Sequence, residues 1–252
     1  MTPKNLEGRT ALVTGASTGL GRHFAETLAR AGARVALCAR NAERLTEVTE
    51  GIERFDGRAV PIVMDVRDPA SIRAGVDAAE TELGPINILI NNAGVTVAKR
   101  AEEVEDEDYD FVLETNLKGP WVCAQAVGQR MIAHGEGGKI INIASLLALR
   151  VISQLSLYAM SKAALVQMTK ALALEWARHD IQVNAICPGY IETEMNAAHW
   201  QTEGGRRLMS RWPNKRVGTP DALDGPLLML ASEESRFTTG AVIAVDDGQS
   251  LG

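Results

Sequence analysis

Thr10-Ala-Leu-Val-Thr14-Gly15-Ala-Ser-Thr-Gly19-Leu-Gly21 is the stretch on which the fold turns. Its first five residues are a short β-type run, and glycines at 15, 19 and 21 break that run before a helical pattern that ends near Gly32. Strand, glycine-rich turn and helix together cradle the phosphates of a dinucleotide. Glycine lets the backbone turn tightly and approach a pyrophosphate. The first helical turn adds unpaired N–H groups and the positive end of its dipole. Gly15, Ser17, Thr18, Gly19, Leu20 and Gly21 are therefore candidate phosphate-side contacts. The spacing is G-x-x-x-G-x-G, and no Gly-Lys-Ser/Thr follows, which argues against an ATPase or GTPase.

Outward from this unit, β-type runs alternate with helical patterns. Strands are expected at 10–14, 34–39, 59–64, 86–90, 139–144, 181–187 and 241–245. Helices are expected near 20–31, 41–55, 69–83, 104–134, 156–178 and 220–231, with glycines at 32, 57, 84 and 137–138 placed as C-terminal caps. Such alternation implies an α/β fold of Rossmann type: a doubly wound, seven-stranded parallel sheet with helices on both faces. No repeat or linker interrupts residues 1–252, so one domain is the economical reading.

The composition excludes several classes. Apolar residues make up 46% and charged residues 23%, as in an ordinary globular protein, and the net charge of −6 gives no support to nucleic-acid binding. No apolar run approaches a membrane span, and the first residues do not read as a signal peptide, so a cytoplasmic protein is expected. Cys38, Cys123 and Cys187 lie far apart in apolar stretches and read as buried thiols. His23, His134, His179 and His199 show no ligand spacing, and no catalytic metal is expected.

The chemistry points to Tyr158-Ala-Met-Ser-Lys162, with Ser145 upstream. Positions i and i+4 share a helix face, which sets Lys162 beside the phenol of Tyr158. A neighbouring ammonium favours phenolate and is expected to pull the tyrosine pKa down from roughly 10. Lys139-Ile-Ile-Asn-Ile-Ala144 reads as a buried strand, so Ser145 emerges at its carboxyl end, where open α/β sheets bind ligands. A hydroxyl there can hold a carbonyl oxygen while the tyrosine protonates it.

With these motifs in order, the chain resembles the short-chain dehydrogenase/reductase family from about Gly8 to Gly248. Thr14-Gly15-x3-Gly19-x-Gly21 matches its cofactor loop, and Asn91-Asn92-Ala93-Gly94 matches the segment after the fourth strand. Asn116, Ser145, Tyr158 and Lys162 match its catalytic tetrad, and Pro188-Gly189-Tyr190-Ile191-x-Thr193 its nicotinamide-side loop. One departure is Asp246-Asp247-Gly248-Gln249, where the family often shows Asp-Gly-Gly. The resemblance implies that Tyr158 is the acid or base and that Lys162 tunes it and holds the nicotinamide ribose. Ser145 would bind the substrate oxygen, and Asn116 a water linking Lys162 to solvent. It further implies cofactor contacts at Asp65, Val66, Asn92, Ala93, Gly94, Tyr158, Lys162, Pro188, Gly189, Ile191 and Thr193, with Asp65 on the adenine amino group.

The second strand ends in Ala39-Arg40-Asn41 and meets no carboxylate before Glu43. An NAD site places an acidic group there for the ribose 2′-hydroxyl, whereas Arg40 suits a 2′-phosphate, so NADP(H) is favoured over NAD(H). A substrate wall is expected from residues 146–156 and from a lid at about 190–216. There Leu208, Met209, Trp212 and Trp200 either pack the lid or line it. Arg206, Arg207, Arg211, Lys215 and Arg216 either meet an acidic substrate group or form a solvated face balanced by Glu192, Glu194 and Glu203.

Three readings of function follow. The first is an NADP(H)-dependent carbonyl reductase acting on a 3-oxoacyl thioester. The second is a sugar-acid or polyol dehydrogenase of keto-gluconate reductase type. The third is a nucleotide-binding regulatory protein without catalysis, against which the intact tetrad weighs. Enoyl reductases are set aside because they separate tyrosine and lysine by more residues. Trp121, Met131, Met168, Leu172 and Trp176 give the helices around 111–134 and 158–178 more apolar surface than one sheet face needs. In similar proteins these helices form subunit contacts, which implies a homotetramer.

Overall fold

The computed structural model describes residues 5–194 and 196–251. Seven strands form one sheet: β1 (Thr10–Thr14), β2 (Arg34–Ala39), β3 (Arg58–Val63), β4 (Ile88–Asn91), β5 (Gly138–Ile143), β6 (Ile181–Pro188) and β7 (Val242–Val245). Their order is β3-β2-β1-β4-β5-β6-β7, and every pairing is parallel. The connecting helices are α1 (Gly19–Arg30), α2 (Ala42–Glu53), α3 (Pro69–Leu83), α4 (Asp106–Leu113), α5 (Gly119–His134) and α6 (Ser156–Trp176). Two short helices, α7 (Ala197–Trp200) and α8 (Glu203–Met209), make the lid, and α9 (Asp224–Ala231) precedes the last strand.

The central strands are apolar throughout because both faces are covered. Val13, Leu37, Ile90 and Ile141 point into a core shared with Phe24, Leu28, Leu45 and Leu227. Their chain neighbours Leu12, Cys38, Leu89 and Ile140 enter the opposite core with Ile72, Val127, Leu165 and Leu172. Side chains alternate with period two, so each strand feeds both layers. Cys38, Cys123 and Cys187 are buried free thiols, as expected. The strand order reverses between β1 and β4, and a crevice opens there at the carboxyl ends of the strands.

Two expected helices are broken. The stretch read as one helix over 104–134 is α4 and α5 joined by a single wide turn, Glu114–Lys118. In that turn the Gly119 N–H donates to the Glu114 carbonyl, five residues back. Pro120 removes the N–H that would continue the i→i−4 ladder here. Gly119 also packs so tightly that a Cβ would stand 2.7 Å from the Val66 carbonyl oxygen. The segment at 220–231 starts with one tight turn, Pro220–Leu223, before α9.

Candidate active site

One cavity of about 770 Å³ spans the crevice. Gly15, Ser17, Thr18, Leu20 and Gly21 form its floor at the start of α1. The cradle has no room for side chains: a Cβ on Gly21 would meet the Gly15 carbonyl oxygen at 2.1 Å. Gly15 adopts φ +68° and Gly19 φ +53°. Gly19 is not in the cavity wall; its part is the left-handed turn that glycine alone makes easily. Thr14 ties this loop to the next motif, since its hydroxyl accepts from the N–H groups of Asn92 (3.0 Å) and Ala93 (3.1 Å). Asn92 returns the bond by donating Nδ2 to the Thr14 carbonyl at 2.9 Å. The closeness of backbone and the helix start fit a dinucleotide pyrophosphate.

Toward the ends of β2 and β3, Arg40, Asp65, Val66, Ala93 and Gly94 all border the cavity. Asp65 accepts from the Arg67 N–H at 2.9 Å, which orients its carboxylate at the end of β3. Arg44 is a second cation here that sequence reasoning missed. A basic residue in the first turn of the expected helix was the available signal. Asn41 caps α2 by accepting from the Arg44 N–H at 3.0 Å, which fixes the helix start that carries Arg44, with Arg40 just before the cap. Phe111 and Thr115 also enter the wall and had no sequence signal.

Ser145, Tyr158 and Lys162 converge at the other end. Ser145 leaves β5 in an extended conformation, and its hydroxyl accepts from the Leu147 N–H at 3.1 Å. Lys162 is buried, and its Nζ donates to the Ile143 carbonyl at 2.8 Å while standing 5.7 Å from the Tyr158 ring centroid. Burial depresses the lysine pKa to about 8. The sequence expectation for Tyr158 is corrected in this state. Burial raises its pKa above the usual value, and the hydrogen bond from Ser145 opposes that only in part. The i,i+4 spacing puts the ammonium over the ring rather than at the phenol oxygen, so it does not dominate.

Asn116, fully buried in the wide turn, lies behind the cavity wall. Its Oδ1 accepts from the Val95 N–H at 2.8 Å, and its Nδ2 donates to the Val95 carbonyl (2.8 Å) and the Ser161 hydroxyl (3.0 Å). Ser161 in turn donates to the Tyr158 carbonyl at 2.8 Å. Both amide hydrogens are thereby committed, so the side chain has none left for a water. The main-chain carbonyl of Asn116 differs, because residue 120 is a proline and no α-helical N–H reaches it.

Pro188, Gly189, Ile191 and Thr193 line the wall opposite the glycine loop, and Leu146, Leu147, Leu155 and Tyr190 close the far end. The Tyr190 ring stacks on Trp212 at 4.9 Å and meets Trp200 edge-on at 5.4 Å. Trp200 and Trp212 are buried and absent from the cavity wall, so they pack within the lid. The basic cluster does not reach the cavity. Arg206, Arg207, Arg211, Lys215 and Arg216 are exposed, and Arg216 pairs with Asp247 at 2.8 Å. The cluster is solvated, and among the described residues its ion pair is with Asp247 rather than with Glu192, Glu194 or Glu203.

Comparison with known proteins agrees with this geometry. The family model described as enoyl-(acyl carrier protein) reductase matches residues 15–250. The chain is 39% identical over 246 residues to 2-dehydro-3-deoxy-D-gluconate 5-dehydrogenase of Escherichia coli K12, covering 97% of this chain and 96% of that protein. It is 40% identical over 245 residues to gluconate 5-dehydrogenase of Gluconobacter oxydans, covering 97% and 95%. A gluconate 5-dehydrogenase from Burkholderia cenocepacia, solved in complex with NADP and tartrate, superposes with a TM-score of 0.94 at 36% identity over 100% of this chain and 98% of that one. The chain belongs to the short-chain dehydrogenase/reductase family and is an oxidoreductase acting on CH–OH and C=O groups.

Proposed function

We propose that this single-domain enzyme interconverts a ketone and a secondary alcohol on a sugar acid or related polyol, with NADP(H) as the preferred cofactor. The observation that carries the reading is the convergence of Ser145, Tyr158 and Lys162 on a cavity whose other end is the glycine cradle. A bound nicotinamide supplies or accepts the hydride. Ser145 holds the carbonyl oxygen, and Tyr158 gives that oxygen a proton in reduction or takes one from the hydroxyl in oxidation. Lys162 holds the ribose hydroxyls and returns a proton to Tyr158. A water on the main-chain carbonyl of Asn116 joins Lys162 to solvent. The names of the relatives favour a sugar-acid substrate over a 3-oxoacyl thioester. The lysine four residues after Tyr158 speaks against enoyl reduction despite the wording of the matching family model.

Arg40 and Arg44 support the cofactor preference, as does the NADP in the Burkholderia relative. The first test follows NADPH and NADH oxidation with 5-keto-gluconate, 2-dehydro-3-deoxy-gluconate derivatives, simple hydroxyketones and acetoacetyl-CoA. NADPH-dependent turnover of a keto-acid is expected, and turnover of acetoacetyl-CoA alone would restore the thioester reading. Arg40→Ala should weaken NADPH binding by about 2 kcal/mol, roughly thirty-fold, and leave NADH nearly unchanged. Equal losses for both cofactors would remove Arg40 from the 2′-phosphate site.

We also propose a homotetramer, which fits a cytoplasmic enzyme. Tyr109, Leu113, Leu117, Trp121, Met168 and Ala171 line an open apolar groove between α4, α5 and α6. Tyr109 (47% exposed) and Trp121 (44%) lie together in it, and a contiguous exposed apolar patch marks an interaction surface. Light scattering is expected to give about four times the 27.1 kDa of one chain, and a single-chain mass would refute it.

A further inference from the structure

The departure at residues 246–249 lies against the lid. Gln249 is 3% exposed, and three separate segments of the substrate wall meet on it. Its Oε1 accepts from the Tyr190 N–H at 2.8 Å, where the lid begins. Its Nε2 donates to the Arg216 carbonyl at 3.4 Å, where the lid ends. Its main-chain carbonyl accepts from the Arg150 guanidinium, on the segment that follows Ser145 and Leu147. Gly189 makes this possible, since a Cβ there would stand 2.6 Å from the Gln249 Oε1.

Asp247 adds a second fastening. It takes φ +52°, a backbone region that favours glycine, at the position where the family often has glycine. Its carboxylate accepts from Asn214 Nδ2 at 2.7 Å and from Arg216 Nε at 2.8 Å, both at the lid's end. Asp246 holds the turn itself by accepting from the N–H groups of Gly248 (3.0 Å) and Ser250 (2.9 Å).

We propose that this turn is a positioning element for the substrate wall, in which Gln249 and Asp247 fasten the two ends of the lid and so set the seat of Tyr190. The aromatic stack of Tyr190 on Trp212 then depends on a turn outside the cavity. The proposal rests on the oxidoreductase reading for its kinetic consequence, but its mechanical consequence is independent of any substrate.

Asp247→Gly, Gln249→Ala and Gln249→Glu test it, through limited trypsin digestion, carbonyl kinetics, NADPH binding and melting temperature. Trypsin has exposed sites in the lid at Arg206, Arg207 and Arg211. Asp247→Gly relieves the backbone, so the melting temperature should not fall. Cleavage in the lid should nevertheless quicken about ten-fold, and the carbonyl KM rise about five-fold, with NADPH binding within two-fold of the parent. Gln249→Ala should exceed both changes. Gln249→Glu keeps the acceptor for Tyr190 and loses the donor to Arg216, so it should fall between. If Gln249→Ala fails to fold, Asp247→Gly decides alone. Unchanged cleavage and KM in Asp247→Gly would overturn the proposal, as would losses that only track a lowered melting temperature. If the parent turned over no carbonyl, the functional reading would fail while the cleavage rates still judged the lid.

Discussion

Tyr158→Phe is expected to lower kcat by about three orders of magnitude with the fold and NADPH binding intact. The ring itself packs with Leu146, Leu147 and Ala159, and phenylalanine preserves that contact. What disappears is the phenolic O–H, which borders the cavity beside Ser145. The pair would otherwise hold a substrate oxygen from two sides. Loss of a single acid-base group costs roughly 10²–10⁴ in rate, since donor-less sites still orient their reactants. Steady-state kinetics beside NADPH titration and thermal melting separates these effects. Wild-type turnover in the variant would end the assignment of Tyr158, and loss of NADPH binding would recast it as a cofactor contact.

Lys162→Met is expected to make the protein more stable and nearly inactive. Burial holds the folded pKa at about 8 against an ordinary value of 10.5. Such a shift corresponds to a penalty of about 3 kcal/mol for keeping the ammonium charged inside. Losing the bond to the Ile143 carbonyl gives back about 1 kcal/mol, leaving a net gain of about 2 kcal/mol for methionine. The sign fixes the pH window. Below pH 8 the lysine is protonated folded and unfolded, and the penalty is whole. Between about 8 and 10.5 the folded chain sheds the proton first, so the wild type gains stability with pH and the advantage of methionine fades. Urea unfolding of the cofactor-free proteins at pH 7 and pH 10 reads this directly. A methionine variant less stable at pH 7, or a difference unmoved by pH, would sink the argument. Activity should fall about 10²-fold or more, since a thioether can neither bind ribose hydroxyls nor carry a proton.

The strands were legible because both faces of the sheet are covered, so most of them wrote themselves as short continuous apolar runs. β1 and β2 were located to the residue, and the others within about two. The glycine loop was legible because steric demand there is local: Gly21 has no room for any side chain. Lys162 was placed on the right face, but the electrostatics went astray. Sequence spacing measures neighbours along one helix, whereas the raised tyrosine and lowered lysine pKa reflect burial by β5, β6 and the lid. The wide turn at Asn116 was hidden for a related reason. Pro120 is visible in the sequence, yet a proline near glycine is compatible with a fresh helix start, a kink or a bulge, and only Val66 packing on Gly119 selects the last. Gln249 was unreadable because its three partners, Arg150, Tyr190 and Arg216, come from three distant segments.

The strand order also has a history in time. Thr10 pairs with Arg34 and Arg34 with Arg58, so one half of the sheet can assemble from short loops while the ribosome is still making the rest. Ala11 must wait for Ile88, and β4 carries with it the Asn92-Ala93 corner that docks on Thr14. The binding crevice lies at the strand pairing with the greatest sequence separation, which is expected to close last. A dinucleotide present during refolding should leave the first collapse untouched and trap only the joined product.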